Sequence, residues 1–159
     1  MTRLYTEDQA DRTGPGPIDW TKVGPRDEQR RVATRKLLDA GALHTGEDFR
    51  HAAFVFQHGA TPDDYLLAHT LAMVAVGKGD RSGLWIASAT LDRYLNHIKQ
   101  PQIYGTQFTS LDGAPMSQDP YNRELVPDAL RRELGVPALA QQAEQLERIL
   151  AKQAQRAKP

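Results

Sequence analysis

The residues best suited to chemistry are few and lie in four separate segments. His58 follows Gln57 at the end of an apolar stretch and directly before Gly59, where an imidazole can leave the core and face whatever lies over the turn. Imidazole titrates near neutrality, so it serves either as an acid/base or as a C-terminal group favoured by the helix dipole. Asp8 and Arg12 stand at i, i+4 with Gln9 between them, which puts a carboxylate and a guanidinium on one helical face. Taken alone, such a pair reads as exposed and weak. Asp92 and Arg93 interrupt a mostly apolar helix between Trp85-Ile86 and Tyr94-Leu95, and a carboxylate buried there needs a partner. Gln102-Ile103-Tyr104-Gly105-Thr106-Gln107 gathers four hydrogen-bonding side chains around a glycine just after Pro101. All of those groups must be satisfied or solvated, as they are in a loop lining a polar pocket.

Two functions of different class follow. In the first the chain is a small enzyme with His58 as general acid/base, Asp8 or Asp92 orienting the imidazole, and Tyr104 donating to a developing oxyanion or shuttling a proton. Arg12 or Arg93 then holds an anionic group, and Gln9, Gln57, Gln102 and Gln107 complete the binding of a small polar or amino-acid-like metabolite. In the second the chain is a non-catalytic helical binding module, and the same polar residues are structural.

The absence of cysteine excludes disulfides, zinc–thiolate sites, iron–sulfur clusters and cysteine nucleophiles. His51 and His58 are two helical turns apart, and Glu47 with His51 lacks a third ligand, so no metal is expected. No G-x-S-x-G, H-E-x-x-H, G-x-G-x-x-G or D-x-D-x-D-G pattern occurs, and no cofactor is expected. Proton-transfer chemistry remains: hydrolysis, cyclisation, elimination or isomerisation.

Twenty basic and twenty acidic residues balance within each stretch, nine of each sign over 1–50, four over 51–110 and seven over 111–159. No segment carries the one-signed field that nucleic acid or an anionic membrane surface requires, so neither is expected as a partner. The charge-poor middle marks the core. The N-terminus has no apolar signal region, and the longest apolar run, Tyr65–Val76, falls short of the roughly 20 residues that span a bilayer. A cytoplasmic chain, monomeric or homodimeric, is expected.

Positioning these residues falls to a mainly α single domain of 159 residues, a bundle of about five to seven helices with a small β-hairpin after the fifth. Residues 1–24 read as an N-terminal helix and a Pro/Gly loop through Gly14-Pro15-Gly16-Pro17, and 25–100 as the helical core, with Pro25 at a first helical position. Phe49, Ala52, Ala53 and Phe56 share one face, and Thr61-Pro62-Asp63-Asp64 opens the next helix, apolar nearly all round. His69 within it reads as a hydrogen-bonded core histidine. Leu84, Ala87, Leu91, Leu95 and Ile98 form the expected stripe of a fifth helix. Residues 101–118 read as a polar loop or hairpin with its turn at Asp112-Gly113. Residues 119–159 hold the C-terminal helices, the last carrying Leu139, Ala143, Leu146 and Leu150 and expected to dock on the bundle.

The order of Asp8-Gln9-Ala10-Asp11-Arg12, Gln57-His58, Asp92-Arg93, Gln102 to Gln107, Asp119-Pro120 and Arg132-Glu133-Leu134-Gly135 resembles a bacterial family of unknown function with D-Q-x-x-R, Q-H, D-R and Q-x-Y-G-T-Q motifs. The likeness covers roughly residues 4–140, with Q-x-Y-G-T-Q its specific part. It implies a mostly helical fold and no established activity. Polar residues that travel together in a family favour a shared pocket over four independent surface pairs.

Overall fold

Two threonines start the central helices by the same device. In the computed structural model, which describes residues 1–14, 16–110 and 114–156, Thr45 Oγ1 accepts from Asp48 N at 3.1 Å while the Asp48 carboxylate accepts from Thr45 N at 3.1 Å. Thr61 and Asp64 repeat the arrangement at 3.2 Å in both directions, with Pro62 at the first helical position. These reciprocal caps satisfy donors that a helix start otherwise leaves unpaired. They begin α3 (Gly46–Phe56) and α4 (Pro62–Gly77).

Five further helices complete the described chain: α1 (Thr2–Thr13), α2 (Trp20–Asp39), α5 (Gly83–His97), α6 (Asp128–Glu133) and α7 (Leu139–Arg156). The protein is a mainly α single-domain bundle. One boundary differs from the sequence expectation. α2 begins at Trp20, five residues before Pro25, because Asp19 caps it by accepting from Thr21 N at 3.2 Å. Pro25 therefore lies inside the helix, and Val23, Asp27, Arg30 and Thr34 form its buried face.

α4 packs between α3 and α5, with α1 and α2 laid against α3. Small side chains make that core: Ala52, Ala53, Ala68, Ala72, Ala75 and Ala89 are buried, together with Leu71, Phe56 and Ile86. Gly83 marks a close approach of α5 to α4, since a Cβ there would sit 3.1 Å from the Ala72 carbonyl oxygen. This short interhelical distance corrects the expected leucine stripe of α5. The face turned to α4 is Gly83, Ile86, Ala87 and Thr90, whereas Leu84, Leu91 and Leu95 are only half-buried on the flank and Ile98 is exposed. His69 is half-buried, with Nδ1 2.9 Å from the Ala87 carbonyl oxygen.

The expected β-hairpin is the second correction. Among the described residues no strand forms; Thr109 and Ser117 make one antiparallel bridge, and Gln102 and Tyr121 one parallel bridge. The Asp112-Gly113 turn and Pro15 lie outside the described residues. The β-prone composition of 102–109 does not produce a ladder because side chains, described below, take the backbone donors of this segment. No described helix is long and apolar enough to cross a membrane.

His51 links α3 to α1. Its ring stacks on Tyr5 with centroids 4.1 Å apart, and its Nδ1 is buried without a partner among the described residues. Burial holds this imidazole below the ordinary 6.5, Arg50 adds to the effect and Glu47 opposes it. The unfolded chain thus takes up a proton here more readily than the folded one, so the stability contributed by neutral His51 is complete above about pH 6.5 and is lost as pH falls below it. Thermal melts between pH 7 and 5 should fall less steeply for His51→Phe, which keeps the stacked ring, than for the wild type. Equal slopes would remove His51 from the pH response.

Candidate functional site

His58 sits in the turn that ends α3, and four other helices hold that turn. Three successive carbonyls accept from side chains of three helices. Arg93 Nη1 of α5 donates to the Gln57 oxygen at 3.0 Å, Arg31 Nη1 of α2 to the His58 oxygen at 2.8 Å, and the Tyr65 hydroxyl of α4 to the Gly59 oxygen at 2.7 Å. The fourth contact is to the ring itself: His58 Nδ1 lies 2.9 Å from Asp8 Oδ1 of α1. The Asp8 side chain is 1% exposed and that of His58 15%, so a buried carboxylate anchors an imidazole that still reaches the surface.

Asp8 is itself fixed. Gln9 Nε2 donates to its Oδ2 at 2.8 Å and Arg12 Nη1 to its Oδ1 at 3.1 Å. In the tautomer with its proton on Nδ1 the ring donates to this carboxylate, and the lone pair then lies on Nε2. Nε2 has no hydrogen-bond partner among the described residues. That is the form a general base requires.

The Asp8–Arg12 pair is buried rather than exposed, and it begins a longer run of charges. Arg12 Nη2 reaches Asp27 Oδ2 at 2.6 Å, Arg30 Nη2 reaches Asp27 Oδ1 at 2.6 Å and Arg30 Nη1 reaches Asp11 Oδ2 at 2.9 Å. Arg26 closes the run on Asp11 Oδ1 at 2.7 Å. Burial pushes the Asp11 carboxyl up, but hydrogen bonds from Arg30 and Arg26 outweigh it and hold the group below its ordinary value. Asp8, Asp27 and His58 place one donor atom each within 4.8 Å of one another, a spacing compatible with a cation. The donor set is nonetheless committed, because the oxygens of both carboxylates already accept from Gln9, Arg12, Arg30 or His58. The Arg12 guanidinium fills the cationic position between the two carboxylates.

Asp27, Arg30 and Arg31 were not among the residues the sequence singled out. For Asp27 and Arg30 the signal was the i, i+4, i+7, i+11 spacing of Val23, Asp27, Arg30 and Thr34, a helical face that apolar periodicity overlooks because three of its four members are polar.

Asp92 serves a different purpose from Asp8. It is fully buried, and its two oxygens accept from Ile103 N at 2.8 Å, Tyr104 N at 3.0 Å, Thr106 N at 2.9 Å and Thr106 Oγ1 at 2.8 Å. The carboxylate is a template for the loop, and its hydrogen bonds all go there. Orientation of His58 therefore comes from Asp8. Gln102 works in the same way from inside the loop, accepting from Gln107 N at 3.0 Å while its amide donates to the Gln107 and Gln118 carbonyls. Gln107 Nε2 donates to the Ala89 carbonyl of α5 at 3.2 Å.

The C-terminal helices close over this loop. Arg131 of α6, fully buried, donates to the Tyr104 carbonyl. Gln142 of α7 donates to the same carbonyl at 2.9 Å and accepts from the Tyr121 hydroxyl at 3.0 Å. Gly105 has φ +76°, and a Cβ there would lie 2.1 Å from Gln142 Oε1. Only glycine fits both the backbone and the space. Burial, with Asp92 adding, pushes the Tyr104 phenol above its ordinary value, so it stays protonated as a donor.

The expected residues thus fall into two groups. Asp8, Gln9, Arg12, Gln57, His58 and Arg93 meet at the end of α3, whereas Asp92, Gln102, Tyr104 and Gln107 meet in the loop after α5. No hydrogen bond among the described residues joins His58 to the second group. A cleft of about 520 Å³ lined by Arg31, Phe56, Ala60 and Thr61 flanks the His58 turn without being lined by His58 itself.

Replacement of Asp92 by alanine leaves three buried N–H groups and a hydroxyl without their acceptor, and should cost about 3–5 kcal/mol in chemical denaturation. Gly105→Ala should cost ~2–4 kcal/mol from φ strain and overlap with Gln142. A loss under about 1 kcal/mol for either variant would show that the loop is not held in this way.

Comparison with known protein families, curated proteins and solved structures found no match, so what the site can do is read from its geometry.

Proposed function

We propose that the protein is a small cofactor-independent enzyme in which His58 is the general acid/base for a reaction on a small polar molecule. The observation that carries this reading is the 2.9 Å contact between His58 Nδ1 and the buried Asp8 carboxylate. With the proton on Nδ1, this contact leaves Nε2 as the base and stabilises the imidazolium that forms when Nε2 takes a proton. Gln9 and Arg12 keep Asp8 in place, so the dyad is preorganised. Arg93 and Arg31 hold the backbone on which the imidazole rides. The reaction is a proton transfer of the hydrolase, cyclase, lyase or isomerase type.

One observation favours the second reading, a non-catalytic helical binding module. The Gln102–Gln107 box is satisfied by its own surroundings through Asp92, Gln118 and Gln142. In our reading that box is scaffold, and catalysis belongs to the α3 turn alone. The molecule then works in the cytoplasm as a monomer or homodimer.

A turnover screen on small polar esters, lactones, amides and hydroxy or amino acids tests the proposal. His58→Ala should lower turnover by about 10²–10⁴-fold, the range of general acid/base catalysis, while the thermal midpoint stays within a few degrees of the wild type. Full activity in a folded His58→Ala protein would exclude His58 as the catalyst.

A further inference from the structure

Arg93 is a cation whose Nε is buried and which meets no carboxylate among the described residues. Arg12, Arg26 and Arg30 each meet a carboxylate at 2.6–2.7 Å, and Arg31 meets Glu28. No carboxylate among the described residues lies within 4.0 Å of Arg93. Its Nη1 donates to the Gln57 carbonyl oxygen at 3.0 Å, while its Nε is buried with no partner and its Nη2 makes no hydrogen bond among the described residues. Burial pulls this guanidinium below its ordinary pKa; Tyr65 opposes that effect and Arg12 adds to it. A second cation therefore stands nearby, yet Arg12 is already taken by Asp8 and Asp27.

The free edge has a definite chemistry. Nε and Nη2 form the side of a guanidinium that matches the two oxygens of a carboxylate, giving parallel charge-assisted hydrogen bonds. One unmatched positive charge calls for one negative charge. Nη1 is pinned on the carbonyl of the residue that precedes His58, which brings the guanidinium to the turn that carries the imidazole. We infer that Arg93 holds the carboxylate of a monoanionic substrate along its Nε–Nη2 edge, next to His58. The inference rests on the acid/base reading of His58 and gives that site its substrate class, a small carboxylic acid. Nε is closed to solvent, so seating the anion requires the packing over it to open, and binding should leave a signature at that nitrogen.

Nuclear magnetic resonance of ¹⁵N-labelled protein tests this without knowledge of the reaction. The Arg93 Nε–Hε resonance is assigned by its absence from Arg93→Lys, and the protein is titrated with sodium acetate against sodium chloride at matched ionic strength, then with inorganic phosphate. The expected result is a saturable shift of that resonance with acetate and none with chloride, with the acetate-induced shifts of neighbouring amides at least tenfold weaker in affinity in Arg93→Lys. His58→Gln should keep acetate binding, which separates the two ideas: a failed His58 activity test leaves this result standing, and a failed titration leaves the dyad standing. Absence of a saturable acetate shift, an equal response to chloride, a response to phosphate alone, or loss of acetate binding in His58→Gln would each overturn the assignment. If Arg93→Lys does not fold, comparison with the amide spectrum of Arg93→Gln assigns the resonance, and the wild-type titration decides.

Discussion

The three carbonyls of the turn that ends α3 are the constraint on which the arrangement of the bundle depends. A helix ends with acceptors that no turn of its own can satisfy, and an end inside a protein must borrow donors from elsewhere. Here Gln57, His58 and Gly59 borrow them from Arg93, Arg31 and Tyr65. These are long side chains, able to reach across from α5, α2 and α4, and two carry the positive charge that a helix C-terminus favours. Each hydrogen bond fixes the distance and rotation of one helix relative to α3. The residue at the centre of this arrangement is also the one whose ring is held by α1, so the position of His58 follows from the same bonds that assemble the fold.

Close approach makes the arrangement possible. The α3, α4 and α5 interfaces are lined by alanine, and the glycine at position 83 lets α5 come near the α4 backbone. Large apolar side chains would push the helices apart and carry the arginines out of reach of the carbonyls. The outer pair is seated differently. α1 and α2 meet through the alternating carboxylates and guanidiniums of Asp8, Arg12, Asp27, Arg30, Asp11 and Arg26. Buried ion pairs of this kind contribute little net stability after desolvation but penalise any other register. The balanced charge of the first fifty residues is therefore local pairing rather than a solvated face.

Much of this was legible in the sequence where a local rule applied. Thr61-Pro62-Asp63-Asp64 announced the start of α4, and the spacing of Phe49, Ala52, Ala53 and Phe56 announced the inner face of α3. The rest was hidden where a distant residue overrides a local preference. Pro25 looked like a helix start, but the Asp19 cap six residues earlier made the first turn without it. Residues 102–109 carry β-branched and aromatic side chains, yet Asp92 and Gln102 take the amides that a ladder would use. The leucines of α5 gave the right helix and the wrong face, because hydropathy ranks side chains by transfer energy while this interface selects them by size. For the candidate site, residue types pointed to Asp8, His58, Asp92 and Arg93. Spacing carried no information on which carboxylate meets the imidazole, since Asp8 and His58 are fifty positions apart.

Asp92 and Arg93 show how the two polar groups are connected. Adjacent residues on a helix point about 100° apart, so one side chain of the pair enters the loop after α5 and the other crosses to the end of α3. Asp92 fixes Ile103, Tyr104 and Thr106; Arg93 fixes Gln57. A rotation or shift of α5 that broke one set of bonds would strain the other, because both sets are anchored on consecutive residues of a helix packed tightly against α4. The loop, with α6 and α7 fastened to it through Arg131 and Gln142, thereby sets the rotation of α5 and with it the place of the Arg93 guanidinium. The polar box need not touch His58 to matter to it: its contribution is to hold still the helix from which Arg93 reaches the imidazole's own turn.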